Sequence, residues 1–147
     1  MKRIKKGFTL IELTLSIAII MSMMAMYKFT YRGFHNLLNK VDILKCNNSV
    51  LEFINFSKRY CRENDALGKV YFSKGENSMM LIIGGRNVKK YKLPSGFKIT
   101  FINATNSVLN VNKLGQSSDG CTMKYKDRNN NEQTITVSVG TGYVQIK

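Results

Sequence analysis

One carboxylate stands out for the chemistry it could do, because it lies inside an apolar segment. Residues 8–27, FTLIELTLSIAIIMSMMAMY, hold Glu12 as their only charged side chain, and Gly7 precedes them. Cleavage after Gly7 would give Phe8 a positively charged amine at a depth similar to that of the Glu12 carboxylate. Between two staggered copies of the chain, these two groups could form an ion pair that offsets both burial costs. If such a cut occurs, the spacing would therefore allow an ion pair between two subunits.

The apolar segment has the length of a membrane span and a basic flank. Twenty helical residues at about 1.5 Å each cover about 30 Å, the thickness of one hydrocarbon core. Residues 2–6 read KRIKK, so the positive-inside rule predicts a cytoplasmic N terminus and an external chain after about Tyr27. No Ala-x-Ala cleavage site follows, which disfavours an ordinary secretory signal peptide. An uncleaved signal anchor stays open as an alternative.

The stretch KKGFTLIEL resembles the prepilin leader motif of the type IV pilin superfamily: basic residues, Gly, an aromatic or apolar residue, Ser or Thr, two apolar residues and Glu. The resemblance implies that residues 1–7 are a leader peptide, which prepilin peptidase removes by cutting between Gly7 and Phe8 on the cytoplasmic side. It implies N-methylation of the Phe8 amine. It also implies that Glu12 pairs with the N terminus of a neighbouring subunit during assembly. This motif covers residues 5–27 only.

Residues 28–62 are predicted to continue the helix with one apolar face. They contain no Pro and a single Gly, Gly33. Apolar or small residues recur every three or four positions, which indicates a helix packed on one side. They are Ile43, Cys46, Val50, Phe53, Ile54, Ser57 and Cys61, and the charged residues Lys40, Lys45, Glu52, Lys58 and Arg59 fall mostly elsewhere. The prediction is one nearly continuous helix from Phe8 to about Cys61, with a transmembrane and filament-core half over 8–27 and an amphipathic half over 28–62.

Beyond Arg62 the apolar period changes to two, which predicts antiparallel strands with one wet face. The fold class is therefore α+β: the long N-terminal helix packs on an antiparallel β head of about seven or eight short strands, residues 63–147. The run MMLII at 79–83 is continuous and predicts a strand covered on both faces. The alternating residues expected to face inward are Ile99 and Phe101, Cys121, Met123 and Tyr125, Ile135, Val137 and Val139, and Val144 and Ile146.

Three stretches of the head resemble a particular subgroup of the superfamily. They are LPSGFKITF, KLGQSSDGCTMKY and QTITVSVGTGYVQI. Their Gly-containing turn, polar hairpin and final strand pair joined by Thr-Gly are similar to the heads of H-type general-secretion pseudopilins and of their minor-pilin and competence relatives.

The three cysteines could form one disulfide at most. Cys46 and Cys61 lie about 22 Å apart along the predicted helix and cannot pair with each other. Cys121 could pair with either, but the apolar-face positions favour free, buried thiols where the helix meets the sheet. The single histidine, His35, has no catalytic companions and is expected to be exposed just outside the membrane.

Two stretches interleave cations with tyrosine, RNVKKYKL at 86–93 and KYKDR at 124–128. Such stretches can bind phosphates and stack on bases. The chain has 23 Lys and Arg, and removal of the four in the leader would leave 19 of them against 9 Asp and Glu. This excess of positive charge favours contact with DNA or a cell-wall polyanion. The favoured alternative is a solvated edge strand, where Lys opposes aggregation between sheets. The candidate polyanion-binding residues are Arg86, Lys89, Lys90, Lys92, Lys124, Lys126 and Arg128.

The sequence predicts a structural subunit and not an enzyme. It shows no pattern that pairs a nucleophile with a base, and it has no phosphate-binding loop. One His and three Cys provide few ligands for a metal site. No cofactor is expected. The predicted function is that of a minor pilin or pseudopilin in a type IV pilus-like filament for competence and DNA uptake, secretion or pilus biogenesis. Expected partners are other pilins, prepilin peptidase and, before assembly, membrane lipid. The chain is expected to be a single-pass membrane protein with its head outside, and to join a surface filament after assembly. The alternative is an uncleaved membrane-anchored binding module with a basic head.

Overall fold

One helix, α1, spans Leu10–Glu63 in the part of the chain that the structure, a computed structural model, describes: residues 9–138 and 144–146. The chain divides into two compact units, residues 1–38 and residues 39–147, and α1 contributes to both. The prediction of one nearly continuous helix is confirmed over the described residues. The cleavage site at Gly7 and Phe8, the inward position of Val139 and the turn at 140–142 lie outside them.

A backbone motif ends α1 without a glycine. Asp65 adopts a left-handed conformation with φ 47°. The amide of Ala66 donates to the Cys61 carbonyl at 2.9 Å, and the amide of Asp65 donates to the Arg62 carbonyl at 3.5 Å. These two bonds form a Schellman motif, which satisfies carbonyls that the last turn would leave unpaired. The chain thereby turns sharply from the helix into the first strand.

The head contains two antiparallel sheets of four strands each among the described residues. The first sheet has the order β3-β2-β1-β5 and the second the order β4-β6-β7-β8. A short 3-10 turn, Thr105–Ser107, precedes β5. The strands are β1 Gly68–Ser73, β2 Ser78–Ile83, β3 Arg86–Lys92, β4 Lys98–Asn103, β5 Val108–Val111, β6 Cys121–Lys126, β7 Glu132–Val137 and β8 Val144–Ile146. The α+β fold with an antiparallel head is confirmed.

A single hydrophobic core joins the second half of α1 to both sheets. The predicted apolar face of the helix is confirmed, because six of its seven positions are buried and Ile43 is partly buried. The inward residues of β6, Cys121, Met123 and Tyr125, are buried as predicted. Ile135 and Val137 of β7 are buried too. The side chains of β8 lie outside the described set.

The prediction for β4 was wrong at one position. Ile99 is buried, but Phe101 is 47% exposed and Ile102 is buried instead. The pairing with β6 shifts register between Ile99 and Phe101. Such a bulge adds one residue to a strand and reverses the faces of the residues that follow. Alternation of residue types could not reveal it, because both Phe101 and Ile102 are apolar.

Two further expectations need correction. In the run MMLII, Met79 and Leu81 are buried, whereas Met80, Ile82 and Ile83 are only partly buried. The strand is therefore covered on one face only. Lys58, one of the charged residues predicted to fall mostly outside the apolar face of the helix, is only 8% exposed. Its Nζ atom has no hydrogen-bond partner in the described residues, and burial lowers the pKa of this amine.

The three cysteines are free and buried, as favoured from the sequence. Burial raises the pKa of each thiol, that of Cys121 to about 11. Cys61 contacts the start of β1 so closely that a Cβ atom on Gly68 would collide with its Sγ atom. The sulfur thus occupies space that only a glycine leaves open.

Candidate assembly segment and basic surface

Glu12 closes the first turn of α1 by a capping box with Thr9. The amide and the Oγ1 atom of Thr9 each donate to Glu12 Oε2 at 2.9 Å. The amide of Glu12 donates in return to Thr9 Oγ1 at 3.4 Å. Such a reciprocal pair satisfies amide donors that a helix start leaves free. The Ser/Thr-x-x-Glu spacing that signals it is visible in the sequence, but its capping role was missed there.

The apolar part of α1 is long enough to cross a membrane, by length and composition. Its most apolar window has a mean hydropathy of 1.9, and none of it is buried inside the protein. The hydroxyl side chains of this part return their hydrogen bonds to the helix itself: Ser16 to the Glu12 carbonyl at 2.7 Å and Ser22 to the Ile19 carbonyl at 2.8 Å. Backbone acceptors thus satisfy polar groups that lipid could not. His35 is exposed as predicted and packs edge-on against Tyr31 at 4.4 Å.

The first basic stretch forms β3, an edge strand of the first sheet, as the favoured alternative predicted. Its cations do not form one surface. Lys89 is opposite Leu81 and lies over the Phe56 ring of α1, with Nζ at 4.2 Å from the ring centroid. Lys90 is opposite Met80, on the other face of the sheet, and pairs with Glu76 at 2.5 Å.

The second basic stretch lies on β6 and the turn after it, and β6 is an inner strand of the second sheet, so the edge-strand prediction is wrong for this stretch. Lys124 pairs with Glu132 at 2.7 Å. Lys126 lies directly opposite Lys98 of β4, an arrangement of like charges that destabilises a sheet. Arg128 pairs with Asp42 of α1 at 2.7 Å and donates from Nε to the Ser95 carbonyl at 3.0 Å. Four of the seven candidate cations, Lys89, Lys90, Lys124 and Arg128, thus have partners within the protein, on α1 or in the head.

A polar cluster fastens the turn after β6 to the start of the head-packing part of α1. Asp127 is 2% exposed. Its Oδ1 atom accepts the amides of Asn129 and Asn131 at 2.8 Å, and its Oδ2 atom accepts Asn39 Nδ2 at 2.8 Å. Burial raises the pKa of this carboxyl, but the hydrogen bonds from Asn131, Asn39 and Asn129 outweigh burial and lower it. About two turns further along α1, Asn47 Oδ1 accepts the hydroxyl of the fully buried Tyr125 at 2.6 Å.

Comparisons with known proteins bear on the N terminus and on the fold separately. Residues 2–27 match the family described as the prokaryotic N-terminal methylation motif. The fold is similar to that of the minor pseudopilin EpsH from the type 2 secretion system of Vibrio cholerae, with a TM-score of 0.54 at 8% sequence identity. That similarity covers 69% of this chain and 92% of the other. The resemblance to the type IV pilin superfamily is confirmed. No curated protein matches the chain.

The two findings bear on different properties of the chain. The methylation motif contains Gly7, Phe8 and Glu12, and the structural similarity concerns the fold alone. Neither finding shows what the function of the head is. The polar cluster at Asp127 had no sequence signal, because its members lie 88 positions apart at Asn39 and Asp127.

Proposed function

We propose that this chain is a minor pilin or pseudopilin, a structural subunit of a type IV pilus-like filament. The observation that carries the proposal is the methylation motif at residues 2–27, which leads into a helix whose apolar window has no cover inside the protein. Such a surface needs lipid before assembly and other apolar helices afterwards. The similarity of the fold to that of a minor pseudopilin supports the same function.

The proposed mechanism depends on the positions of three residues. Prepilin peptidase cuts between Gly7 and Phe8 on the cytoplasmic side of the membrane, and the Phe8 amine is then methylated. Glu12 pairs with the Phe8 amine of a neighbouring subunit as the helix leaves the lipid. Both hydrogen bonds from Thr9 fall on Glu12 Oε2, so Oε1 is the oxygen that can accept the neighbour's amine without opening the capping box.

The mass of the mature N terminus tests the processing step. Protein isolated from the native membrane should begin at Phe8 and carry a methyl group on its amine. An intact Met1 would contradict the proposal and support the alternative, an uncleaved membrane-anchored module with a basic head.

Variants at the capping box separate the charge of Glu12 from its role in the helix. Glu12→Gln keeps an acceptor for the Thr9 hydrogen bonds and removes the charge, whereas Thr9→Ala removes the cap and keeps the charge. Both variants, and Glu12→Ala, should still insert and be cleaved, because Gly7 and the basic leader are intact. Incorporation into sheared filaments should fall for both Glu12 variants and much less for Thr9→Ala. The reverse order would show that helix capping, and not charge, matters for assembly.

The biological role of the filament needs an experiment in the native host. Competence, secretion and pilus biogenesis can all use a subunit with this leader and stem. Deletion of the gene should be scored for DNA uptake, protein secretion and surface filaments side by side. Loss of uptake with secretion intact would select the competence role, and the opposite result would select the secretion pseudopilus.

We also propose a weak polyanion contact by the head, built on fewer cations than the sequence indicated. Arg86, Lys92 and Lys126 are exposed and have no ion pair in the described residues. The like-charge pair of Lys126 and Lys98 is the observation that favours this contact, because an anion between the two lysines would relieve their repulsion. The other candidate cations already contact groups of α1 or of the head.

A further inference from the structure

The outer face of the first sheet carries apolar residues in the rows that normally face water. Pairing places Tyr71 of β1 between Met80 of β2 and Val108 of β5, and places Ile82 of β2 opposite Lys69 of β1. Residues that pair directly share one face of an antiparallel sheet. The inner face is the one that holds Val70, Leu81 and Leu109, all fully buried. Tyr71, Met80, Ile82 and Val108 therefore point away from the core.

We call these four residues the outer apolar patch. Each of them is only partly exposed, and none belongs to the hydrophobic core or to the partly buried residues packed against it. In the second sheet the equivalent outward rows hold mostly polar residues, Thr122, Thr136, Lys124 and Thr134, with the exposed Phe101 beside Lys124. A contiguous apolar patch with a polar rim marks an interaction surface more often than an ordinary surface.

The rim of the patch is basic. Lys69 is exposed and adjoins Tyr71 and Ile82, and Lys90 lies opposite Met80. Lys92 lies on the same face by alternation and is also exposed. Glu76 pairs with Lys90 and neutralises its charge.

A groove opens beside the patch and gives it shape. It has a volume of about 380 Å³ and is lined by Lys69, Tyr71, Val108 and Asn110 on the sheet, with Thr105 and Asn106 on the adjoining turn. Asn106 and Ser107 both have positive φ values, 56° and 57°. Two successive non-glycine residues in this conformation are uncommon, and strain of this kind concentrates at binding sites.

We infer that the outer face of the first sheet docks an acidic protein subunit that is different from this chain. The inference rests on the proposed filament function and names the chemistry of a neighbour within it. The apolar patch would meet an apolar surface, the groove would admit a protruding side chain, and carboxylates on the partner would lie against Lys69 and Lys92, which are exposed. A polar rim around an apolar centre is the usual anatomy of such interfaces.

Charge argues against the two other occupants. A second copy docked face to face by the same patch would place these lysines against their own equivalents, and like charges at an interface act against association. A nucleic acid strand would use the lysines and Tyr71, but it would leave Met80, Ile82 and Val108 without a partner, since bases stack on aromatic rings.

Site-specific photo-cross-linking in the native host tests the inference. A photoreactive amino acid would be placed at Ile82, and at Thr136 as a matched control, because Thr136 is also a partly exposed β-branched residue in an outward row. We expect a protein adduct from Ile82 and none from Thr136, and mass spectrometry should identify the partner as an acidic pilin-like subunit. An adduct with a second copy of this chain, an adduct with nucleic acid, or equal adducts from both positions would overturn the inference.

Two controls separate this inference from the filament proposal itself. Filaments should be sheared from the same cells and probed for the mature chain. If the chain is present in filaments and Ile82 gives no adduct, the docking inference is wrong and the filament function stands; if the mature chain is absent from filaments, the filament function fails as well. Lys69→Glu should lower the adduct yield from Ile82 by about threefold or more, whereas Lys69→Arg should preserve it.

Discussion

Replacement of Gly68 by alanine gives a stringent test of how α1 packs on the first sheet. A Cβ atom at Gly68 would collide with the Sγ atom of Cys61, and it would also lie 3.3 Å from Leu81 Cδ1 and 3.6 Å from Ile83 Cγ1. Cys61 is fully buried, so its sulfur has little room to move. The Gly68→Ala protein should therefore be less stable, even though alanine reduces the entropy of the unfolded chain.

The expected size of the effect follows from two opposing contributions. Overpacking of a well-packed core costs about 1 to 3 kcal/mol. The lower entropy of the unfolded chain returns about 0.4 to 1 kcal/mol. At the middle of both ranges, the free energy of unfolding should thus fall by about 1.3 kcal/mol. Cys61→Ala alone should also destabilise, by about 1 kcal/mol, because a buried heavy atom is lost and a small cavity remains.

The double variant decides whether the collision is real. With Cys61→Ala and Gly68→Ala together, the new methyl group occupies space that the sulfur vacated. The two losses should then fail to add, with a coupling energy of at least about 1 kcal/mol in the stabilising direction. Urea unfolding of the detergent-solubilised chain, followed by the near-ultraviolet circular dichroism of its tyrosines, measures all four proteins.

Gly75 provides the matched control. It lies in the turn between β1 and β2, and a Cβ atom there would meet nothing within 4 Å. Gly75→Ala should therefore leave stability unchanged or raise it slightly. Strictly additive losses at Gly68 and Cys61, or equal effects of alanine at Gly68 and Gly75, would refute the described packing.

Three other predictions address the head and its charges. A fragment of residues 28–147 should be soluble and folded by circular dichroism; a random-coil spectrum would contradict the division at Lys28. Asp127→Asn should lower the free energy of unfolding at pH 7 and make it less sensitive to acid. The lowered pKa of Asp127 stabilises the fold above the pKa of the unfolded chain, about 3.9, and this contribution is lost as the pH falls through the pKa of the folded protein. Any binding of single-stranded DNA should weaken with salt by a log–log slope of about −0.7 per phosphate, and replacing Arg86, Lys92 and Lys126 with Gln should flatten that slope for all DNA sequences alike.

Local patterns predicted the helix and most strands because their periods record a single buried face. The buried positions from Cys46 to Cys61 follow the helical period, and those of β6 and β7 follow the strand period. The bulge that exposes Phe101 was hidden because its neighbour Ile102 is also apolar. The capping box of Thr9 and Glu12 was readable from its spacing.

Polar contacts between distant residues were not readable at all. The bond between Asn39 and Asp127 and the bond between Asn47 and Tyr125 join positions 88 and 78 residues apart. Neither pair has a spacing or residue type that distinguishes it from other polar residues in the chain. The burial of Lys58 was hidden for a similar reason, because a residue's place on a helical wheel does not reveal which loop will cover it.

The continuity of α1 has a mechanical consequence. A tensile load on the N-terminal end of the helix travels along one uninterrupted hydrogen-bonded rod, since no strand or loop intervenes before Glu63. The load enters the head through the bonds of Asn39 and Asp42 to the turn at Asp127 and Arg128, before it reaches the apolar seam that begins at Cys46. These polar bonds would bear the first shear, and they could break and re-form while the apolar contacts hold. The head would then move reversibly under tension before it separates from α1.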